Sequence, residues 1–304
     1  MFLFPFLMFT ACGNGSQSKK TSDADSASVE TKAQEDKTAD IGVYATVLED
    51  AARFVSGGFE EMPDEFYGIF DFRNKWNDLH NGAGMKWEEV REAVGYTLID
   101  IDGDGGDELL IGTSKNGNNR TLIFALYNTV DGEPALILSG TVHNVWRYLG
   151  KGRLFNMNEY NDVCALYGFS GGELTCLDDS VGNKNELSGQ AACLTLTPFS
   201  TLRPIKAEWE EGGKVRFSAT QTVNDFQFID LSDADFADGM MKFTEKVRLT
   251  QALNAGETLS VDMPINGDLP EYAISFTDPL GKTVKMTVTA SGVDGSIILN
   301  QYSF

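Results

Sequence analysis

Histidine, paired cysteine and clustered basic residues are scarce in this sequence, and each shortage excludes a class of protein. The two histidines among the 304 residues, His80 and His143, have no second ligand at zinc-site spacing, so a zinc site or a histidine-based triad has little support. No Cys-x-x-Cys pair exists, which excludes a thiolate metal site or redox motif. Lysine and arginine number 24 against 45 acidic residues, and so acidic a surface repels nucleic acid.

One catalytic motif is matched in sequence, but the residues around it do not fit. Residues 168–172, GFSGG, match G-x-S-x-G with Ser170 as the nominal nucleophile. That motif requires a strand, a sharp turn and then a helix, whereas the strand-like ELTCL follows here. We therefore predict a hairpin turn at this position and a non-enzymatic protein.

The N-terminal segment is apolar but too short to cross a membrane. The run from Phe2 to Phe9 has eight residues, whereas a spanning helix needs about 20, and this length fits the apolar region of an export signal. Thr10, Ala11 and Cys12 follow the run and resemble the end of a bacterial lipobox. The resemblance implies a lipoprotein signal peptide over residues 1–11 and an acylated Cys12. The alternative is a hydrophobic strand that joins the core.

The next segment has the composition of a tether. Residues 13–39 contain one β-branched aliphatic residue, Val29, and no aromatic residue, so they cannot bury enough apolar area to offset the entropy of ordering them. We predict a disordered linker over residues 12–39. Together with the lipobox, it places the protein on the extracellular face of the bacterial cytoplasmic membrane, with the lipid bilayer as its partner through Cys12.

Hydrophobic periodicity predicts an α+β fold, with N-terminal helices followed by antiparallel β-sheet and a β-rich, sandwich-like C-terminal region. Helical spacing runs from Asp40, a candidate N-cap, to Val55 and again over residues 85–96. The period then becomes two, with hairpin turns at Asp131-Gly132 and Gly212-Gly213.

Two later segments complete the expected organisation. We predict a strand in AACLTL, residues 191–196, a helix over residues 232–247, and five C-terminal strand candidates with regular turn signals. The predicted domains are residues 40–245, an α+β domain that contains the acidic hairpin described below, and residues 246–304, a β-rich domain or an extension of the sheet.

Three cysteines remain beyond Cys12. Cys164 and Cys176 lie in two strand-like runs joined by Ser170, Gly171 and Gly172. A three-residue loop centred on Ser170 would place the two thiols opposite each other, so a cross-strand disulfide and two buried thiols are both open.

The most concentrated chemistry lies in residues 100–108, DIDGDGGDE, between two apolar runs. Calcium takes about six to eight oxygen ligands at about 2.3–2.6 Å, and a tight glycine turn lets alternate side chains converge on one point. Gly105 permits such a turn. The predicted metal ligands are the side chains of Asp100, Asp102, Asp104 and Glu108 and the backbone carbonyl of Gly106.

This spacing differs from an EF-hand, because Ile111 stands where that loop needs a bidentate glutamate. It resembles the strand–loop–strand calcium motif of FG-GAP and VCBS repeats, whose ligand positions the five groups occupy; Asp107 is expected to contribute charge only. The resemblance implies a structural calcium ion that stiffens a β-hairpin. Residues 40–180 and the C-terminus also resemble bacterial cell-surface lipoproteins that carry one such loop, a likeness that implies an architecture and no activity.

Two other interpretations of the carboxylates are a plain acidic turn without metal and a catalytic site. A plain acidic turn without metal is costly, because like charges about 4 Å apart repel by a few kcal/mol at intermediate dielectric. Catalytic carboxylates need a pKa raised by apolar burial, and the sequence predicts a wet, polyanionic loop.

Two functions are therefore in view. The first is a non-enzymatic, lipid-anchored cell-surface protein with a calcium-stapled hairpin and a structural or binding role. The second is a binder or hydrolase directed at glycan or peptidoglycan, in which Trp146, Tyr148 and Trp209, expected to be exposed among the strands, would stack on sugar rings. Core packing explains these three aromatic residues as well. A glycan or a surface protein would be the partner.

Overall fold

The computed structural model describes residues 41–57, 62–79, 85–115, 120–158, 163–182, 184–237, 240–264, 270–291 and 295–302. Strands hold 52% and helices 18% of these described residues. N-terminal helices followed by antiparallel sheets are thus observed as expected, with β-structure dominant. The predicted signal peptide, Cys12, the linker, Asp40 and His80 lie outside the described residues.

Three helices precede the first strand and a fourth lies later in the chain. They are α1 (Ala45–Phe54), α2 (Tyr67–Leu79), α3 (Trp87–Ala93) and α4 (Lys184–Gln190). The apolar stripe of α1 is buried at Leu48, Ala51 and Phe54, as the helical spacing predicts. Val94, expected on the apolar face of α3, instead begins the first strand.

A nine-stranded antiparallel sheet, here the large sheet, forms the first β-layer. Its strands are β1 (Val94–Ile99), β2 (Glu108–Thr113), β3 (Leu122–Val130), β4 (Glu133–Ser139), β5 (Asn144–Gly150), β6 (Arg153–Asn158), β7 (Val163–Ser170), β8 (Glu173–Asp178) and β9 (Thr197–Pro198). Their order is β8-β7-β6-β5-β3-β2-β1-β9, with β4 also paired to β3.

Both faces of the large sheet are covered. Leu109, Ile111 and Phe124 share a core with α1, α2 and α3, whereas Leu110 and Ile123 belong to a second core on the opposite face. This alternation follows from the period of two along a strand.

The remaining strands form two further sheets that share one core, here the C-terminal sandwich. One sheet contains β10 (Ile205–Glu210), β11 (Lys214–Ala219) and β14 (Thr258–Asp262). The other has the order β13-β12-β15-β16-β17, built from β12 (Val223–Ala237), β13 (Met240–Leu253), β15 (Tyr272–Thr277), β16 (Thr283–Ala290) and β17 (Ile297–Gln301). Phe217, Phe226 and Phe276 are fully buried between them. Residue 246, the predicted start of the C-terminal part, falls inside β13.

The helix predicted over residues 232–247 is wrong, because this segment forms parts of β12 and β13. The two strands pair along their length, for example Ala234 with Phe243, and the register shifts between Asp230 and Asp233. Ser232, which a helix would use as a cap, instead donates backbone and side-chain hydrogen bonds to Asp230. Cross-strand pairing therefore outweighs the local helical pattern.

The strand expected at residues 191–196 is not formed either. The backbone of Ala192 accepts one hydrogen bond from Thr121 and donates one to Tyr148. These two bonds attach the segment to the large sheet but do not make it a strand. Its neighbours Leu194 and Leu196 pack on the second core of the large sheet, so the segment covers that core.

The glycine turns form as predicted, and the turn between β7 and β8 determines whether Cys164 and Cys176 lie opposite each other. Gly171 and Gly172 form a two-residue turn with positive φ between β7 and β8, which confirms a hairpin at GFSGG. The loop is shorter than the three residues expected, so Cys176 lies opposite Tyr167 and Cys164 opposite Met157. No disulfide joins Cys164, Cys176 and Cys193; Cys164 is buried, while Cys176 is exposed rather than buried.

Candidate metal centre

The acidic loop connects two adjacent strands of the large sheet. β1 ends at Ile99 and β2 begins at Glu108, and these two residues are paired across the hairpin. Residues 100–107 therefore leave and re-enter the sheet at one point, which folds the loop back on itself.

Three carboxylates of the loop converge. One oxygen from each of Asp100, Asp102 and Glu108 lies within 4.8 Å of the other two. Three points this close can all lie within about 2.8 Å of a common centre, near the calcium–oxygen length of about 2.3–2.6 Å. Asp100 is exposed, Asp102 half-buried and Glu108 buried, so the cluster opens to solvent on one side.

Asp104, a further predicted ligand, is placed differently, and so is Asp107, which is expected to contribute charge only. The exposed carboxylate of Asp104 accepts a hydrogen bond of 2.7 Å from the backbone N–H of Gly106 and is not one of the three groups that converge. Asp107 is likewise exposed, and its backbone carbonyl accepts a 3.0 Å bond from the Tyr44 hydroxyl.

Backbone amides shape the loop around Asp100. Its two carboxylate oxygens accept bonds from the N–H groups of Gly103, at 2.6 Å, and Gly105, at 3.1 Å. Both glycines have positive φ, +85° and +93°, a conformation that a side chain disfavours. A Cβ at Gly105 would meet nothing within 4 Å, so glycine is needed there for its backbone conformation and not for space.

Glu108 is the buried member of the cluster. It is 1% exposed, and its Oε2 accepts a 2.7 Å bond from the backbone N–H of Ile101. The pKa of Glu108 is raised to about 7, chiefly by burial and in addition by the charges of Asp102, Asp104 and Asp100, against the opposing effect of the Ile101 bond. A cation at this position would offset both causes.

The loop is tied to hairpins that lie far along the chain. Gly171, in the β7–β8 turn, donates a 2.7 Å bond to Asp102, and Gly152, in the β5–β6 turn, donates a 2.8 Å bond to the carbonyl of Ile101. The Tyr148 hydroxyl is 3.4 Å from the same carbonyl. Sequence reasoning missed these contacts because no local pattern records them.

The aromatic residues considered for sugar stacking are mostly inside the protein. Trp146 and Tyr148 are 8% and 9% exposed and belong to the second core of the large sheet. Trp209 is 39% exposed and donates a 2.6 Å bond to the carbonyl of Gly295. The expectation that all three are exposed is therefore wrong for Trp146 and Tyr148, whose rings complete a core.

Comparisons of the chain with protein-family models, with curated proteins and with solved structures gave no match. Among the helices of the described ranges, none has the length and apolar character needed to cross a bilayer. The geometry of the acidic loop itself therefore indicates its chemistry: hard oxygen ligands converge on one point.

Proposed function

We propose that the loop of residues 100–108 binds one calcium ion as a structural element of the large sheet. The observation that carries this proposal is the convergence of oxygens from Asp100, Asp102 and Glu108. Asp104 and the Gly106 carbonyl, at the remaining ligand positions of the motif, would join the ion after a local adjustment of an exposed loop. Hard carboxylate and carbonyl oxygens are the ligands that calcium prefers.

Electrostatics supports the same proposal. The bonds that the loop carboxylates accept come from backbone N–H groups, which are dipoles and leave the net negative charge in place. Like charges repel by a few kcal/mol at about 4 Å and intermediate dielectric. A bound divalent cation removes that repulsion, so binding and folding of the loop would reinforce each other.

The ion would act on more than its own hairpin. Asp102 contacts Gly171 and Ile101 contacts Gly152, so a fixed loop holds the β7–β8 and β5–β6 turns at the same end of the sheet. We infer a role in stiffening that end of the sheet.

We also propose that the protein is a cell-surface lipoprotein. The support is the lipobox-like Thr10-Ala11-Cys12 and the polar stretch that follows it. Replacing Cys12 by serine should release the protein from the membrane fraction and abolish incorporation of labelled fatty acid; unchanged membrane association and labelling would contradict the anchor. A glycan-directed function has no comparable support, because two of its three candidate aromatic residues are buried.

Calorimetric titration of the full-length chain with calcium tests the metal site. We expect one site with a dissociation constant of about 10⁻⁴–10⁻³ M, typical of extracellular modules, and loss of that heat in Asp100→Asn. Asp107→Asn removes the same charge from the loop but not from the converging set, and should retain binding. Absence of calcium heat in the wild-type protein, or equal loss in both variants, would contradict the proposal.

A further inference from the structure

The large sheet has a free strand edge at the end opposite β9. Within the described residues, β8 pairs with β7 and with no other strand. The side chains along β8 are exposed, apart from the half-buried Leu174. The outer edge of β8 is therefore open to solvent.

The alternation of the β7–β8 ladder shows which backbone groups face this edge. The Phe169 N–H donates a 2.6 Å bond to the carbonyl of Gly152 on the β6 side, so Phe169 turns its backbone away from its partner Leu174. Such non-bonded pairs alternate with bonded ones in an antiparallel ladder, and the next non-bonded pair is Tyr167 with Cys176. The N–H and C=O groups of Leu174 and Cys176 therefore point outward.

Apolar side chains lie beside these backbone groups on both faces of the sheet. Leu174 packs on the second core. Leu177 is 57% exposed, the highest value for a large apolar side chain among the described residues. It lies over the backbone of Gly168, where an added Cβ would be 3.4 Å from Leu177 Cδ1. An added strand would bury part of Leu177, which is favourable.

The charge beside the edge indicates which kind of strand fits. Glu173, Asp178 and Asp179 are exposed, and the sequence has no lysine or arginine between Arg153 and Lys184. Opposite charges on neighbouring strands stabilise their pairing, whereas like charges destabilise it. A strand with basic side chains is therefore complementary to this edge.

A second copy of the chain is less complementary. Two β8 strands related by a two-fold axis between Thr175 and Cys176 would place Glu173 of each copy opposite Asp178 of the other. Both copies also carry a net charge of −21. These like charges oppose self-association through β8.

We propose that the free edge of β8 is a docking site for a basic, extended segment of another protein, which adds to the nine-stranded sheet as a further strand. Backbone bonds to Leu174 and Cys176 supply affinity, and alternately basic and apolar side chains of the partner supply selectivity. The bond from the Gly171 N–H to Asp102 fixes the turn before β8, so the edge is in place before the partner arrives.

Fluorescence anisotropy of a short labelled peptide of alternating lysine and valine tests the site on the full-length chain. We expect saturable binding of this peptide and none of the same peptide with glutamate in place of lysine. Cys176→Pro removes one outward N–H at an edge that tolerates proline, and should weaken binding about tenfold, as for the loss of one hydrogen bond. Cys176→Ala, the matched control, lacks only the thiol and should bind the peptide as wild type does.

Amide hydrogen exchange of the wild-type chain, followed by NMR, locates the bound peptide without any variant. The peptide should slow exchange most at Leu174 and Cys176, whose N–H groups face the edge. Slower exchange confined to other parts of the protein would overturn the proposal even if the peptide binds, because the acidic surface would then attract it elsewhere.

Three further results would also overturn the docking site. The first is absence of binding by the lysine peptide, which would mean that the acidic side chains keep the edge unpaired. The second is equal binding of the lysine and glutamate peptides, or of Cys176→Pro and Cys176→Ala. The third is a dimer in sedimentation that Cys176→Pro abolishes, together with no peptide binding, which would assign the edge to a second copy.

Discussion

The β1–β2 loop and a buried group of Arg203, Glu49, Asp278 and Gln301, here the Arg203 cluster, both bring carboxylates together, but they balance the charge differently. In the loop, Asp100 and Asp102 lie near solvent and accept bonds from backbone amides. In the cluster, Glu49 and Asp278 converge on a guanidinium group that is 1% exposed. The first arrangement would take the proposed cation from solution, whereas the second contains its own cation, Arg203.

The comparison has a consequence for stability. Buried charges lose their hydration and depend on fixed partners, whereas solvent still screens the loop in the absence of an ion. Damage to the cluster should therefore cost more than damage to the loop, and the following predictions are ordered by that expectation.

The largest effect is expected from Arg203→Met. The variant leaves Glu49 and Asp278 buried without a cation and should lower the free energy of unfolding by about 3–5 kcal/mol. The loss should shrink at acidic pH, where both carboxylates can take protons. Urea unfolding measures it, with Arg216→Met as the control, because Arg216 pairs with Glu208 on the surface, where solvent screens the pair and its loss should have little effect. Equal losses in the two variants would contradict the contrast between buried and exposed charge.

Calcium should stabilise the protein through the loop alone. At about a hundred times its dissociation constant, a ligand of the folded state adds about 2.7 kcal/mol to the free energy of unfolding. Thermal unfolding with calcium and with EDTA should show this increment in wild type and in Arg216→Met but not in Asp100→Asn. Without calcium, Asp100→Asn should be no less stable than wild type, since it removes repulsion; a large loss there would mean that the Asp100 bonds to Gly103 and Gly105 matter more than its charge.

The backbone of the loop should tolerate a methyl group at one glycine and not at its neighbour. Gly105→Ala places a Cβ at φ +93° and should cost about 1–2 kcal/mol and weaken calcium binding. Gly106→Ala brings a Cβ to 3.1 Å from Asp104 Oδ1, an exposed side chain that can move aside, and should cost less. Chemical unfolding and calorimetry compare the pair, and a larger cost for Gly106→Ala would refute the conformational argument.

The smallest effect should come from an acidic side chain in neither group. The pKa of Asp230 is lowered from 3.8 to about 2, first by the Ser232 hydroxyl bond and then by Arg248, against the opposing effect of burial. A lowered folded pKa gives stability above the unfolded value that is lost as pH falls toward 2. Asp230→Asn should reduce the difference in stability between about pH 5 and pH 3, by less than about 1 kcal/mol after screening. Asp233→Asn, in an exposed pair with Lys246, should leave that difference unchanged.

The contrast also explains what could be predicted from the sequence. The loop was recognisable because its carboxylates and glycines fall within nine consecutive residues, and a turn brings near neighbours together. The cluster was not, because Glu49 and Asp278 lie 154 and 75 residues from Arg203, and only the packing of α1 on the C-terminal sandwich joins them.

Local signals succeeded and failed elsewhere for the same reason. Glycine turns such as Gly171-Gly172 set their own backbone geometry, so the hairpins were predictable. Residues 232–247 have a locally helical pattern. They form strands instead, because the β12–β13 pairing that joins Gln227 to Thr250 and Ile229 to Val247 continues through the segment. Asp104 accepts a bond from Gly106 and lies outside the converging set, which the spacing of the carboxylates did not predict.

The bond from Gly171 to Asp102 joins residues that are 69 apart in the chain. It therefore closes a long loop of the chain, and whatever anchors Asp102 restricts the residues in between. The entropy of closing a ring rises only slowly with its length, so one contact constrains β2 to β7 at little more cost than a short hairpin. An ion bound at the loop would then act as a cross-link in a chain without disulfides among its described cysteines, as a covalent bridge does in disulfide-bonded proteins.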